Sequence, residues 1–155
     1  MTELSMRPLS LRLIGDGILR EQCEPVSSFT DELDAFLNEM LVFMRTHGGI
    51  GLAAPQAGIG LRAVVAEINH RGIVLVNPVT VAASDRTDLM EEGCLSIPDD
   101  QYRIKRPVHI EVKARTPSGG HLHFEAEGLF ARVLQHEIDH LDGVLICDKN
   151  GCTSR

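Results

Sequence analysis

The chain has 155 residues, 43% hydrophobic and 24% charged, the proportions of an ordinary globular protein with room for a substantial core. A formal net charge of -7 with no Lys/Arg-rich cluster excludes tight nucleic-acid binding, and no apolar run reaches the roughly 18 residues of a membrane span. The opening MTELSMRPLSLRL lacks the apolar run of a signal peptide, and Cys23, Cys94, Cys147 and Cys152 mark no secreted disulfide framework, so reduced thiols in a bacterial-type cytoplasm are expected, with an organelle as the alternative.

Residues 1–26 mix apolar pairs with Gly15, Gly17 and Pro25 and read as a short strand or irregular lead-in. Ser27, Ser28 and Thr30 then offer N-cap oxygens, and Asp31 and Glu32 suit the first turn of a helix. Phe29, Leu33, Phe36, Leu37, Met40, Leu41 and Met44 follow at helical spacing, a stripe that reads as core rather than as a cofactor box. The helix is expected to stop before Gly48. Residues 48–60, GGIGLAAPQAGIG, form a small, flexible loop whose backbone can approach a neighbour closely. With no GK[ST] ending, it is not a phosphate-binding loop. Gln56, taken alone, is a surface glutamine.

Residues 62–68 and 73–79 are β-branched runs around Asn69 to Gly72, which predicts a hairpin that Pro78 brings to an end. A loop is expected over 82–89. The segment 91–98, EEGCLSIP, sets a cysteine between a glycine and a short apolar strand. Residues 108–115 and 121–127 alternate with period two about a Thr-Pro-Ser-Gly-Gly turn, a second hairpin. No repeat, linker or low-complexity segment intervenes. The pattern predicts one α+β domain over residues 1–155, with a helix on either side of a strand-rich middle.

The last predicted element carries the chemistry. In GLFARVLQHEIDHLDG, residues 128–143, His136 and His140 fall on one face of a helix with Glu137 between them. Two imidazoles so placed can grip one metal ion, and the glutamate beside them can move protons. Leu129 and Val133 continue the histidine stripe, Phe130, Leu134, Ile138 and Leu141 form a second apolar side, and Gly143 is a natural stop. A catalytic metal takes a third protein ligand and keeps a position for water. Cys94 is the strongest candidate; His121 and His123 on one strand face, or Glu91 or Glu92, compete with it. His47, His70 and His109 have no local partner pattern, and Cys23 reads as a small buried hydrophobe.

Three blocks, GIGLAAPQ at 49–56, EGCLS at 92–96 and QHEIDH at 135–140, stand in this order and resemble the three signature motifs of the peptide deformylase family. The similarity extends over about residues 11–148. It implies a compact α+β domain of antiparallel sheets around the HExxH helix. It further implies that Cys94, His136 and His140 hold the metal and that Glu137 is the general acid/base. Gln56 and the backbone N–H of Leu95 would face the formyl oxygen. The family metal is ferrous iron (Fe2+), with Zn2+, Ni2+ or Co2+ able to take its place. Ile50, Met90, Leu129 and Val133 would line the methionine pocket, with Gly49 and Gly51 also binding substrate; Arg132, one position from Val133, is expected at the pocket rim. Glu92 and Asp139 would orient the imidazoles.

The implied reaction removes the formyl group from formyl-methionyl N-termini of nascent peptides and releases formate, with possible transient contact with the ribosome. Two departures are visible. Gln101 stands where some members carry an arginine, with Arg103 two residues on, and residues 147–155, CDKNGCTSR, are too short and Gly-interrupted for the C-terminal helix of many bacterial members. The rivals are an HExxH zinc peptidase with a different third ligand and a non-catalytic metal-binding relic of the fold. Cys147 and Cys152, near the tail, are assigned no role from the sequence.

Overall fold

The computed structural model describes residues 8–149. Helix α1 (Asp31–Thr46) begins where Thr30 Oγ1 accepts from Leu33 N at 3.2 Å, with Asp31, Glu32 and Asp34 opposing the positive end of the helix dipole. Leu33, Phe36, Leu37, Met40 and Met44 are fully buried along it, as the spacing predicts.

The strands β1 (Gly51–Ala53), β2 (Ala63–Ile68), β3 (Arg71–Ala83), β6 (His109–Arg115) and β7 (His121–Glu127) form one antiparallel sheet in the order β1-β2-β3-β6-β7. A second sheet pairs β4 (Thr87–Cys94) with β5 (Ile97–Pro107). Helix α2 (Gly128–Leu141) packs on the five-stranded sheet and reaches the second through Arg132, and α3 (Ile146–Lys149) adds one turn.

The β-branched run of β2 is explained by burial on both faces. Ala63 and Val65 pack with α1 beside Leu52 and Val76, whereas Val64 joins Leu75, Ile110 and Val112 against Leu134, Ile138 and Leu141 of α2. A third apolar cluster, Leu19, Ile97, Ile104, Leu145 and Ile146, ties the lead-in and α3 to the β4–β5 sheet. Antiparallel sheets with few helices are the α+β architecture expected. Asn69 and His70, at φ 53° and 65°, make the two-residue β2–β3 turn.

Several boundaries differ from expectation. Pro78 does not end β3, because it falls in a bulge between Val76 and Val79 where no ladder bond needs its missing N–H. Asn77, at φ 51°, spends its side chain there on both backbone groups of Val26, at 2.8 and 2.9 Å. Ser84 to Arg86 alone remain of the loop expected over 82–89. The loop at 48–60 contains β1 and a 3-10 turn over Ala54–Ala57. At the end of α2, a Cβ on Gly143 (φ 74°) would lie 2.6 Å from Arg20 O, so the stop is steric as well as conformational. Cys147 belongs to α3 and is buried, while Cys152 and the rest of the tail lie outside the described residues.

Candidate metal centre and its pocket

Helix α2 divides its faces between packing and chemistry. Leu134, Ile138 and Leu141 enter the core, while His136, Glu137 and His140 turn toward the β4–β5 hairpin and are 8%, 5% and 1% exposed. Cys94 closes β4 just before the turn, and its Sγ lies 3.5 Å from His140 Nε2. One donor atom from each of Cys94, His136 and His140 lies within 4.8 Å of the others, the one such cluster among the described residues. The competing ligands are elsewhere. His121 and His123 are exposed on the edge strand β7, where His123 pairs with Glu111, and Glu91 lines the cavity without joining the cluster.

Glu92 serves an imidazole, not the cluster itself. His136 Nδ1 donates to Glu92 Oε1 at 3.0 Å, so that the neutral ring, the form that binds a metal, carries its lone pair on Nε2. Arg106 grips the same carboxylate with Nε at 2.6 Å and Nη2 at 2.9 Å, and Arg132 Nη1 adds a third guanidinium contact at 2.5 Å. Burial pushes the Glu92 carboxyl up, but the His136 and Arg106 hydrogen bonds and the Arg106 charge outweigh it and hold the group down to about 2. Asp139, expected beside an imidazole, instead accepts from Arg106 Nη1 at 2.9 Å. It acts on the histidines only at two removes.

The donor set suits a first-row divalent cation: one thiol and two imidazoles in a buried site. The electrostatics agree. Burial presses the His136 imidazole down, yet Glu137, Cys94 and Glu92 around it outweigh that and pull it up. Burial, together with the His136 and Arg106 charges, pushes His140 well below its ordinary value, leaving a neutral ring able to donate its lone pair. Glu137 is pushed up to about 7, chiefly by burial, and its Oε1 has no hydrogen-bond partner among the described residues.

Gln56 is far from a surface glutamine. The 3-10 turn buries it to 1% exposure, and Ala53 N–H fixes the amide by donating to Oε1 at 2.9 Å. That leaves Nε2 facing Ser96 Oγ at 3.2 Å and Cys94 Sγ at 3.5 Å. The lead-in holds both loops from behind, since Arg12 N donates to Gln56 O and Ile14 N to Ser96 O, each at 2.8 Å. Gly51 faces Glu137 so closely that a Cβ would meet Oε2 at 2.5 Å, which is why the loop tolerates no side chain there.

A cavity of about 470 Å3 opens beside these groups. Its lining includes Gly49, Ile50, Gly51, Met90, Leu129 and Val133, with Leu95 from the hairpin turn and Gln56, His136 and Glu137 at the inner end. Ile50, Met90 and Leu129 are about half exposed at the mouth. Arg132 departs from expectation: it is 5% exposed, on the floor and not the rim. Gln101 and Arg103 are exposed on β5 and do not line the cavity.

The family model described as polypeptide deformylase matches residues 8–153. The chain belongs to the peptide deformylase family. A peptide deformylase of Natranaerobius thermophilus is 45% identical over 140 residues, covering 90% of each chain. One from Treponema pallidum is 41% identical over 141 residues, covering 91% of this chain and 87% of the relative. The crystal structure of peptide deformylase from Thermotoga maritima superposes with a TM-score of 0.90 at 38% identity, covering 92% of this chain and 97% of that one. Within this deformylase frame, sequence reasoning missed Arg106 and Asp88 as partners of the site. Their counterparts, Glu92 and Arg132, lie 14 and 44 residues away along the chain, so no local pattern announces them.

Proposed function

We propose that residues 1–155 act as one catalytic domain that removes the formyl group from formyl-methionyl N-termini of nascent polypeptides. The products are formate and a peptide with a free N-terminal methionine. The observation that carries this reading is the convergence of Cys94, His136 and His140 within 4.8 Å, with the Glu137 carboxyl and the fixed Gln56 amide beside them. Cys94 Sγ, His136 Nε2 and His140 Nε2 would hold the cation, ferrous iron by family expectation, with zinc, nickel or cobalt also compatible with one thiolate and two imidazoles. When bound, a divalent ion supplies Lewis acidity and brings the pKa of a water from about 15.7 toward about 7.

The remaining steps belong to the protein. Glu137, near neutrality in its buried setting, takes the water proton and later gives it to the leaving amine nitrogen. As the formyl carbon becomes tetrahedral, negative charge grows on its oxygen. Gln56 Nε2 and the Leu95 N–H donate to that oxygen, and loss of one such donor costs on the order of 3 kcal/mol of barrier. Met90, Leu129 and Val133 enclose the methionine side chain. A formyl group carries only hydrogen on its acyl side, so the loop around Gly51 can close on it where an internal peptide bond would clash. The proposed setting is a bacterial-type cytoplasm or an organelle, in passing contact with the ribosome.

The test is an anaerobic assay of formyl-Met-Ala-Ser against the acetylated and unformylated peptides, with metal content measured on the same sample. Formate is expected from the formylated peptide alone, at a rate proportional to bound metal. Metal-loaded protein that releases no formate defeats the reading.

A further inference from the structure

The β4–β5 sheet shares no ladder with the five-stranded sheet, yet it supplies one wall of the cavity through Met90 while α2 supplies the other through Leu129 and Val133. Arg132 joins the two walls. From α2 its Nη1 reaches Glu92 Oε2 at 2.5 Å and Ile104 O at 3.0 Å, and its Nη2 reaches Asp88 Oδ1 at 2.6 Å and Asp88 O at 3.1 Å. Side chains two apart on a strand share a face, so Asp88 and Glu92 flank Met90 on either side. One planar guanidinium therefore pins the strand before and after the residue that walls the pocket. Glu92 is also held by Arg106; Asp88 is paired to Arg106 in the β4–β5 ladder, and among the described residues Arg132 is the one side chain of α2 that bonds it.

We propose that the Arg132–Asp88 pair is a specificity-determining clasp that sets the distance between Met90 and α2, and with it the girth of side chain accepted at the first residue of the substrate. This rests on the deformylase reading of the site. Asp88 touches neither the reacting atoms nor the pocket interior, and its side chain is half exposed, so it acts by positioning.

The test compares wild type, Asp88→Ala and Asp88→Asn on formyl-Met-Ala-Ser and formyl-Phe-Ala-Ser. For Asp88→Ala, KM for the methionine peptide should rise about fivefold, the most that an ion pair of this exposure is worth. With kcat little changed, the preference for methionine over phenylalanine should narrow by a similar factor. Asp88→Asn should restore both, since its amide oxygen still accepts from Arg132 Nη2. Melting temperature and metal content should match wild type in both variants. An unchanged preference in Asp88→Ala, or a fall in kcat with KM unmoved, overturns the clasp. Calorimetric binding of the two peptides to the same Asp88 variants in a Glu137→Gln background reads the pocket without turnover. A wild type that releases no formate would therefore sink the functional reading while the clasp was still judged, standing or falling on whether Asp88→Ala narrows the binding preference.

Discussion

Cys94 and Glu137 are assigned two tasks that a single substitution each can separate. Replacing Cys94 with alanine removes the one sulfur from the cluster of three donors, so metal content should fall together with formate release. A zinc peptidase that takes its third ligand elsewhere would keep both. Glu137→Gln preserves shape and leaves Cys94, His136 and His140 untouched. It should keep its metal by elemental analysis and lose at least about a hundredfold in kcat, the low end for general acid–base catalysis. Turnover near the wild-type rate would remove Glu137 from the proton path. These residues were readable in the sequence because HExxH places both imidazoles on one helical face and the motif around Cys94 is short and distinctive. Arg132 was not, because an isolated arginine on a helix ordinarily points to solvent. Only the folded path brings Asp88, Glu92 and Ile104 O within its reach.

Among the elements, α2 serves two purposes that its side chains keep apart. Leu134 is fully buried against the five-stranded sheet, and Leu134→Ala should cost about 2–5 kcal/mol in chemical denaturation. Leu129, on the same helix but 54% exposed at the pocket mouth, should cost under about 1 kcal/mol when cut to alanine and act instead on KM. Equal losses at the two positions would contradict this division of the helix. The periodic elements, α1, α2, β2, β6 and β7, follow the sequence pattern closely. By contrast, β5 was hidden, since most of IPDDQYRIKRP lies in an exposed two-stranded sheet and has no steady apolar alternation to advertise a strand. The far half of β3 was hidden as well: Pro78 signals a strand end unless a bulge receives it, and the bulge is held by Asn77 and Val26, 51 residues apart.

At the scale of the molecule, the buried Glu92 network makes stability depend on acid in a definite direction. Its carboxyl titrates at about 2 in the fold against 4.5 for the free side chain, a depressed value. The contribution is therefore complete above about pH 4.5 and is lost as pH falls through about 2. In chelator-treated protein, acid unfolding should show a loss on the order of 3 kcal/mol across that window. Glu92→Gln should be less stable at neutral pH and lose the larger part of that slope, keeping only what the depressed carboxyls of Asp16 and Asp148 contribute. A wild-type profile without that slope would mean that the carboxylate is not held as the geometry requires.

The two backbone bonds from the lead-in, Arg12 N to Gln56 O and Ile14 N to Ser96 O, act as reins on loops that meet at the site from opposite sides. A start moved to Asp16 would delete both, and the Gln56 amide, proposed to face the formyl oxygen, would be the first group to drift.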